Sequence, residues 1–141
     1  VDATHYAAEP KHRKEIAKAI SPANYLNQPE IVLEQVLTGR FAGGLGGIQN
    51  VPDRINFDPF PWHSMAMWIL SQMKRWKDVD TDFDYKKVAE QVYLAAECNK
   101  TMSELGYPTR NATSKKHIIL GREFDPGKVE DYAKSFPINN L

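Results

Sequence analysis

The strongest hydrophobic pattern in the chain lies in residues 62–76, where apolar residues recur at the three- and four-residue spacings of a helix. Two X-Pro pairs at 58–61 come directly before it. Because proline disfavours a helical conformation in the residue that precedes it, we predict that the helix begins at Pro61 or Trp62. The apolar run at 65–70 is far shorter than the roughly 20 residues of a membrane span, so we expect burial against protein. The predicted buried face is wide and contains Trp62, Met65, Ala66, Met67, Trp68, Ile69, Leu70, Met73 and Trp76.

The first part of the chain shows two shorter helical patterns. Residues 1–8 are typical of the end of a helix, because apolar residues have helical spacing there and no N-terminal cap precedes them. We therefore expect the sequence to be a piece of a longer chain. Residues 11–20 predict a short amphipathic helix that stops at Ser21-Pro22. Its inward residues are predicted to be Ile16, Ala17 and Ile20.

A third helical pattern runs from residue 27 to residue 38. Asn27 is predicted to be the N-cap, with Pro29 in the first turn and Glu30 three residues after the cap. Gly39 is predicted to end the helix, because glycine readily adopts the left-handed conformation of a C-terminal cap. We expect the helix to bury Val36, Leu37 and either Ile31 or Val32.

Residues 39–60 show no periodicity and contain most of the glycines, so they predict a long loop of mobile or tightly turned backbone. Its stretch FAGGLGG at 41–47 suggests a phosphate-binding loop. However, it lacks a preceding hydrophobic strand, the lysine-serine end of a P-loop, and a helix that starts at its last glycine. We therefore do not assign phosphate binding to it.

The second half of the chain predicts one long helix, a short strand and a final short helix. The long helix has Asp82 or Asp84 as its cap and ends at Gly106, which Pro108 follows. The strand is predicted at 117–120, and Asp125-Pro126 is expected to cap a last helix that ends near residue 134. The predicted buried stripe of the long helix is Tyr85, Val88, Val92, Ala95 or Ala96, Met102 and Leu105.

These elements predict a mostly α fold with minor β, in one segment spanning 1–141 without an internal boundary. The 141 residues, 42% of them hydrophobic, suffice for one modest core. Eighteen basic and 18 acidic residues balance, and no run of like charges exceeds two, so we expect no nucleic-acid partner. A single cysteine, Cys98, excludes an internal disulfide.

Few residues have the spacing that catalysis or metal binding requires. His5, Glu9 and His12 would share one face of a continuous helix, but Pro10 interrupts that helix, so we predict no metal site. His63 lies in the first turn of the 62–76 helix, where we expect its ring to satisfy local backbone groups. Cys98 is expected to behave as a small hydrophobic residue.

The aromatic residues near the 62–76 helix could form a platform for ligand stacking, but we expect most of them to pack in the core. No nucleophile motif or paired-carboxylate motif is present in the sequence. The residues alone therefore give no candidate catalytic residue and no metal ligand. The aromatic residues concerned are Phe57, Phe60, Trp62, Trp68 and Trp76.

Four stretches that together make up just over half of the chain are EPKHRKEIAKAIS at 9–21, YLNQPEIVLEQVLTGRF at 25–41, VPDRINFDPFPWHSMAMWILSQMKRW at 51–76 and ILGREFDPGKVEDYAKSF at 119–136. They resemble the C-terminal part of the nitrate and bicarbonate substrate-binding proteins of ABC importers. The block FDPFPW…QMKRW is the most specific part of this resemblance. The resemblance implies that the chain is the C-terminal segment of a type II periplasmic-binding-protein fold. In that fold, two α/β lobes form the whole receptor.

The resemblance also implies a function. A receptor of this family closes two lobes around a small oxyanion, nitrate or nitrite first and bicarbonate as the alternative, and delivers it to ABC permease subunits for assimilation. The implied location of the lipid-anchored parent is the periplasmic face of the bacterial inner membrane. In this family the anion contacts lie earlier in the chain, so the resemblance implies no catalytic or ligand-binding residue within 1–141. It also implies a binding protein that is not an enzyme and has no cofactor.

Two other functions stay open. The parent could be a nitrate-sensing regulatory domain, either cytoplasmic or fused to the transporter ATPase, and a P-loop upstream or the lack of an export signal would indicate it. Alternatively, the chain is a freestanding helical interaction module that self-associates through the apolar surface a missing lobe would cover. Concentration-dependent sedimentation would indicate the module.

Overall fold

The computed structural model describes residues 1–55, 58 and 60–137. These residues form seven α-helices, one 3-10 helix and four short strands, which confirms the predicted mostly α fold with minor β. The chain divides into two compact units, Val1–Pro59 and Phe60–Leu141. That all 141 residues belong to one segment of a single fold stays a prediction.

The first unit contains three helices and one hairpin. A proline at residue 10 follows α1 and begins the 3-10 helix, as expected for a residue that lacks a backbone N–H. Helices α2 and α3 pack against each other. The elements are α1 (Asp2–Ala8), the 3-10 helix (Pro10–His12), α2 (Arg13–Ile20), α3 (Glu30–Thr38), β1 (Arg40–Ala42) and β2 (Ile48–Asn50).

The core of the first unit lies between α2 and α3. Its buried residues are Ala17, Leu33 and Leu37, and Ile16, Ile20 and Ile55 pack against them. The predicted inward face of α2 is therefore confirmed.

The predicted inward face of α3 is wrong except at Leu37, because Ile31, Val32 and Val36 are exposed. The helix is apolar on two sides, so periodicity alone could not select the side that faces α2. Asn27 is not the cap either. Pro29 holds the N-cap position, and Asn27 lies in the preceding turn with a φ of 49°.

Arg13 is the buried cation of the first unit, with 5% of its side chain exposed. One terminal nitrogen donates to the carbonyls of Leu37 (3.0 Å) and Pro52 (2.6 Å), and the other donates to the carbonyl of Ile55 (3.1 Å). Among the described residues no carboxylate pairs with Arg13. The guanidinium therefore joins α2, the end of α3 and the segment after β2 through backbone acceptors alone.

The prediction of a loop across residues 39–60 is wrong where the two strands form, while residues 56, 57 and 59 lie outside the described residues. Strand β1 pairs antiparallel with β2, with Phe41 opposite Gln49. The amide of Gly43 donates to the carbonyl of Gly47 at 2.7 Å, which closes the turn. The FAGGLGG stretch is thus the end of a hairpin, and three-residue strands are too short to produce a readable alternation.

Gly39 ends α3, as predicted, with a φ of 71°. Its carbonyl accepts a hydrogen bond from the amide of Val51 at 2.8 Å. A Cβ at residue 39 would lie 1.9 Å from the carbonyl oxygen of Val51. Both the backbone conformation and the close approach of the chain therefore require glycine here.

The second unit contains four helices and a second hairpin. Its core cluster consists of Ala66, Met67, Ala89, Phe124, Val129 and Tyr132. The elements are α4 (His63–Arg75), α5 (Tyr85–Val92), α6 (Ala95–Glu104), β3 (His117–Ile119), β4 (Arg122–Phe124) and α7 (Val129–Lys134).

Helix α4 begins at His63, one residue after the later of the two predicted starts, and Trp62 is its N-cap. The predicted buried face is wrong at Ile69, Met73 and Trp76, which are exposed. The opposite side is buried and includes Ser71 and Arg75. The hydroxyl of Ser71 donates to the Trp68 carbonyl at 2.6 Å, and the Arg75 guanidinium stacks on the Phe136 ring at 4.5 Å. A pattern of apolar residues could not identify a buried side that contains serine and arginine.

The predicted long helix is wrong, because it is two helices. Helix α5 has the predicted cap, the Asp84 carboxylate, which accepts from the Lys87 amide at 3.0 Å. The chain is extended at Tyr93, and α6 begins two residues later. The Tyr93 carbonyl lies 3.0 Å from Nε2 of His63, so a tertiary contact takes the acceptor that a continuous helix would use.

The break changes the predicted buried stripe. Met102 and Ala95 are buried as predicted, whereas Val92 and Leu105 are exposed. Gly106 ends α6 with a φ of 76°, as predicted. The side of α5 that carries Val92 is therefore not covered by the described residues.

The C-terminal part was predicted in outline. The predicted strand is β3, but its partner β4 was not predicted, and the two form a hairpin with Ile118 opposite Glu123. Helix α7 ends at Lys134 as predicted, yet it begins three residues after Pro126. Asp125 is not its cap. Its carboxylate accepts from the Gly127 amide at 2.8 Å and stabilises the turn before the helix.

We predict that Gly39→Ala destabilises the protein by at least about 3 kcal/mol, because the methyl group meets backbone that cannot move aside easily. Gly44→Ala is the control. Gly44 also has a positive φ but no atom within 4 Å of its added Cβ, so the expected cost is only about 1–2 kcal/mol. Urea unfolding of both variants measures the difference, and equal costs would contradict the close approach at Val51.

We also predict that Arg13→Met lowers the unfolding free energy by about 2–4 kcal/mol, since it leaves three carbonyl groups without their donor. Lys14→Met serves as the matched control. Lys14 is an exposed neighbour whose ion pair with Glu34 (2.9 Å) lies at the surface, so its replacement should change stability by less than about 1 kcal/mol. A small effect of both replacements would mean that Arg13 does not hold the unit together.

Candidate functional site

The residues considered for a metal site do not form one. Lys11 hydrogen-bonds to the Glu9 carboxylate and so lowers the pKa of Glu9. The His12 ring stacks on the Tyr6 ring, with the ring centroids 3.7 Å apart. Within the part of the chain that the structure describes, no group of three histidine, cysteine or acidic residues is placed to hold a metal ion.

The first turn of α4 contains a buried Ser-His contact. The hydroxyl of Ser64 lies 2.8 Å from Nε2 of His117 and accepts from the Lys115 amide at 3.2 Å. Because Ser64 is fully buried, no substrate can reach its hydroxyl. The contact fixes β3 to α4, and its role is structural.

His63 contacts backbone groups, but the partner of its ring is not local as predicted, because it lies 30 residues further along the chain. Its ring hydrogen-bonds with the carbonyl of Tyr93, and its amide donates to the carbonyl of Thr113 at 2.8 Å. These contacts join the start of α4 to the α5–α6 break and to the segment before β3.

The aromatic residues do not assemble into a stacking platform. Phe60 and Trp62 are buried and pack edge to face, with the ring centroids 4.7 Å apart. Trp68 packs against the core of the second unit. Trp76 is exposed and lies beside Arg75, while Phe57 lies outside the described residues. Core packing is therefore confirmed for three of the five and wrong for Trp76. Cys98 is half-buried in α6.

Two polar clefts in the second unit have the wrong charge for an anion. One, of about 430 Å³, lies between α5 and α7, and the other, of about 320 Å³, lies beside β3 and β4. Each is lined by three carboxylates and two lysines, so an oxyanion would meet net negative charge. The residues of the second cleft are Lys116, Glu123, Asp125, Lys128, Asp131, Tyr132 and Ser135.

Lys116 is the charged centre of the second cleft. Its ammonium lies 2.8 Å from the Glu123 carboxylate and 3.2 Å from that of Asp125. Hydrogen bonds to these two groups raise the pKa of Lys116. The Gly127 amide, and next the Lys116 ammonium, hold the pKa of Asp125 below its ordinary value of 3.8. Lys116 is thus paired within the cleft, and Lys128 is the other cation of its lining.

A third polar cleft, of about 320 Å³, lies in the first unit and has one more cation than anion. Its lining includes Lys14, Glu34, Thr38, Arg40 and Asn50. Lys14 is already paired with Glu34, so the excess charge comes from the single exposed side chain of Arg40. One exposed guanidinium is a weak basis for an anion site, because water competes for it.

The most distinctive surface of the described residues is apolar. A groove of about 170 Å³ lies between α4 and α5, and only apolar side-chain surface lines it. We name it the α4/α5 groove. Met73 is 36% exposed and Val92 is 64% exposed, so the rim is open to solvent. Its main residues are Ala66, Ile69 and Met73 on α4 and Val88, Ala89 and Val92 on α5.

This groove was only partly predicted. The sequence indicated a helix at α4 with apolar residues on more than one side. However, Ile69 and Met73 were predicted to be buried, and both are exposed. The open side of the groove follows from the break at Tyr93, which ends α5 with Val92 uncovered and which no local sequence signal indicates. No helix within the described ranges is both long enough and apolar enough to cross a membrane.

The architecture, helices with two short hairpins, matches part of the fold of a solved protein. Among the solved structures that the chain matches is the crystal structure of the periplasmic nitrate-binding protein NrtA from Synechocystis PCC 6803. The TM-score is 0.84 with 18% sequence identity, and the match covers 97% of this chain and 38% of that chain. The chain therefore spans well under half the length of the solved protein, and at this identity the likeness shows the fold.

The predicted resemblance is thus confirmed at the level of the fold. No family model matches the chain, and no curated protein sequence matches it. The comparisons therefore show the fold of the chain and not its ligand.

We predict that Asp125→Asn lowers the melting temperature at neutral pH and that this deficit disappears in acid. Asparagine keeps the acceptor for the Gly127 amide but loses the charge that pairs with Lys116. Because folding lowers the pKa of Asp125, its contribution to stability is full above pH 3.8 and is lost as the pH falls through the lower pKa of the folded state.

Thermal unfolding between pH 7 and pH 2 measures this effect. Glu104→Gln is the control, since Glu104 is an exposed residue of α6 outside the cleft. A deficit in Asp125→Asn that persists unchanged at the lowest pH would show that the ion pair contributes nothing.

Proposed function

We propose that this chain is the C-terminal segment of a solute-binding receptor for a small oxyanion, and that it contributes structural helices to the receptor. The observation that carries the proposal is the fold match to a nitrate-binding protein over 97% of the chain, together with the fact that this match spans 38% of the solved protein. The proposed ligand of the whole receptor is nitrate or nitrite, with bicarbonate as the alternative.

The charges of the described clefts are consistent with a structural role for the segment and not with anion binding. A site for nitrate needs several donors that converge on one small anion in a sheltered place. The two polar clefts of the second unit carry net negative charge, and the cleft of the first unit offers one exposed guanidinium. We therefore propose that the anion contacts lie in the part of the receptor outside these 141 residues.

The uncovered apolar residues support the same proposal. Ile31, Val32 and Val36 on α3 and the rim of the α4/α5 groove are exposed to solvent. Exposed apolar patches usually mark a surface that another part of a protein covers. A longer receptor would supply that cover.

The proposed receptor works outside the inner membrane and passes its anion to ABC permease subunits. It is a binding protein and performs no chemistry on its ligand. The solved protein that shares this fold is periplasmic, which supports this location. We place no permease contact on the residues of this segment.

We predict that the 141-residue chain shows no binding heat with nitrate, nitrite or bicarbonate in isothermal titration calorimetry. The longer protein that contains this segment should bind nitrate with a dissociation constant of about 1 μM or tighter, equivalent to about −8 kcal/mol. Chloride and sulfate at the same concentrations serve as controls for nonspecific ionic effects.

The two measurements have separate meanings. Micromolar binding by the 141 residues alone would contradict the placement of the site elsewhere. Absence of binding by the longer protein, with all three oxyanions tested, would contradict the receptor proposal itself.

A further inference from the structure

The α4/α5 groove is apolar throughout, unlike the other clefts of the second unit. Ile69 and Met73 form one wall, and Val88 and Val92 form the other. The floor contains Ala66 and Ala89, whose small side chains give the groove its depth. Its volume of about 170 Å³ suits the insertion of one or two apolar side chains.

We propose that the α4/α5 groove receives an apolar segment from the rest of the receptor, supplied by chain outside these 141 residues. This inference rests on the proposed function, and it identifies the surface through which the segment is held in the whole receptor. The contact is a permanent one, formed when the receptor folds.

The length of the matched protein supports this occupant. The 141 residues fit onto 38% of the solved chain, so more than half of a receptor with this fold lies outside the matched part. Within a compact fold, chain of that length has to pack against the faces that this segment leaves open. The groove is an open face of that kind.

The chemistry of the groove points to a permanent contact within one fold. Its lining carries no charged side chain, and all of the lining surface is apolar. Permanent interfaces resemble a domain core and are depleted in charge, whereas transient contacts, such as those between a receptor and its permease, are more polar. An oxyanion would find no hydrogen-bond donor in the groove, so the groove is not a ligand site.

The flanking surface shows where the contact ends. Lys86 and Glu90 lie on α5 with their side chains exposed and 3.9 Å apart, outside the groove lining. They form the polar rim that borders an apolar contact in most interfaces. The apolar strip between them and α4 is thus a bounded surface, not a scattering of exposed residues.

The test compares two acidic substitutions in the groove with one outside it. Met73→Asp and Val92→Asp place a carboxylate on each wall, and Ile118→Asp makes the same kind of change at a residue of β3 that is 75% exposed. Each variant is made in the 141-residue chain and in the longer protein. Thermal unfolding, nitrate calorimetry and sedimentation velocity are the measurements.

In the longer protein we expect both groove variants to lower the melting temperature by about 5 °C or more, because the carboxylate would be buried there. In the 141-residue chain the same variants should shift it by less than about 2 °C, since both positions are at the surface. Ile118→Asp should have a small effect in both proteins.

Three results would overturn the inference. The first is that the groove variants of the longer protein have the same melting temperature as the unmodified longer protein, which binds nitrate. The proposed function would then stay intact. The second is a dimer of the 141-residue chain that Val92→Asp dissolves and that persists in the longer protein, which would make a second copy the occupant. The third is an equal loss of stability in both proteins.

A longer protein that binds no oxyanion but is destabilised by the groove variants would contradict the proposed function and support the groove contact.

Discussion

A helix that is apolar on two sides has to be covered on both, and α4 imposes this constraint on the second unit. One side, with Met67 and the hydroxyl of Ser71, faces the core formed with α7 and β4. The other side, with Ile69 and Met73, is shared with α5 and stays partly open. The free energy of burying apolar surface, about 25 cal/mol per Å², favours any arrangement that closes this second side. The described residues do not close it.

The first unit is held together by polar contacts as well as by its small apolar core. Its core between α2 and α3 is small, and the buried guanidinium of Arg13 connects three backbone segments that apolar contacts alone would hold weakly. A buried cation is tolerated where several oriented carbonyl groups replace water. Gly39 then allows the chain to leave α3 and pass directly against Val51. These two residues determine the local path of the chain, and neither belongs to an apolar pattern.

Much of the helical architecture could be predicted, because its signals are local. The X-Pro pairs before Trp62 marked the start of α4, Asp84 marked the cap of α5, and Gly106 marked the end of α6. The break at Tyr93 could not be predicted, since it depends on a contact with His63, 30 residues away. The hairpins were missed in part because each strand has only three residues.

The candidate site was harder to predict than the fold. The residues with obvious chemistry, such as His63 and His117, proved to serve packing and backbone contacts. The surface that distinguishes the molecule consists of ordinary aliphatic residues, and sequence periodicity assigned Ile69 and Met73 to the core. Their exposure follows from which side of α4 the rest of the unit selected. The buried side of α4 includes Ser71 and Arg75, and a pattern of hydrophobic residues gives no sign that these two polar residues are buried.

The oxidation rate of Met73 by hydrogen peroxide, followed by peptide mass spectrometry, tests the central claim most directly. Met67 and Met102 are buried and provide internal references in the same sample. If the α4 surface belongs inside a larger receptor, Met73 should oxidise faster than both references in the 141-residue chain and should be protected to their level in the longer protein. An equal and rapid oxidation of Met73 in the two proteins would contradict the account.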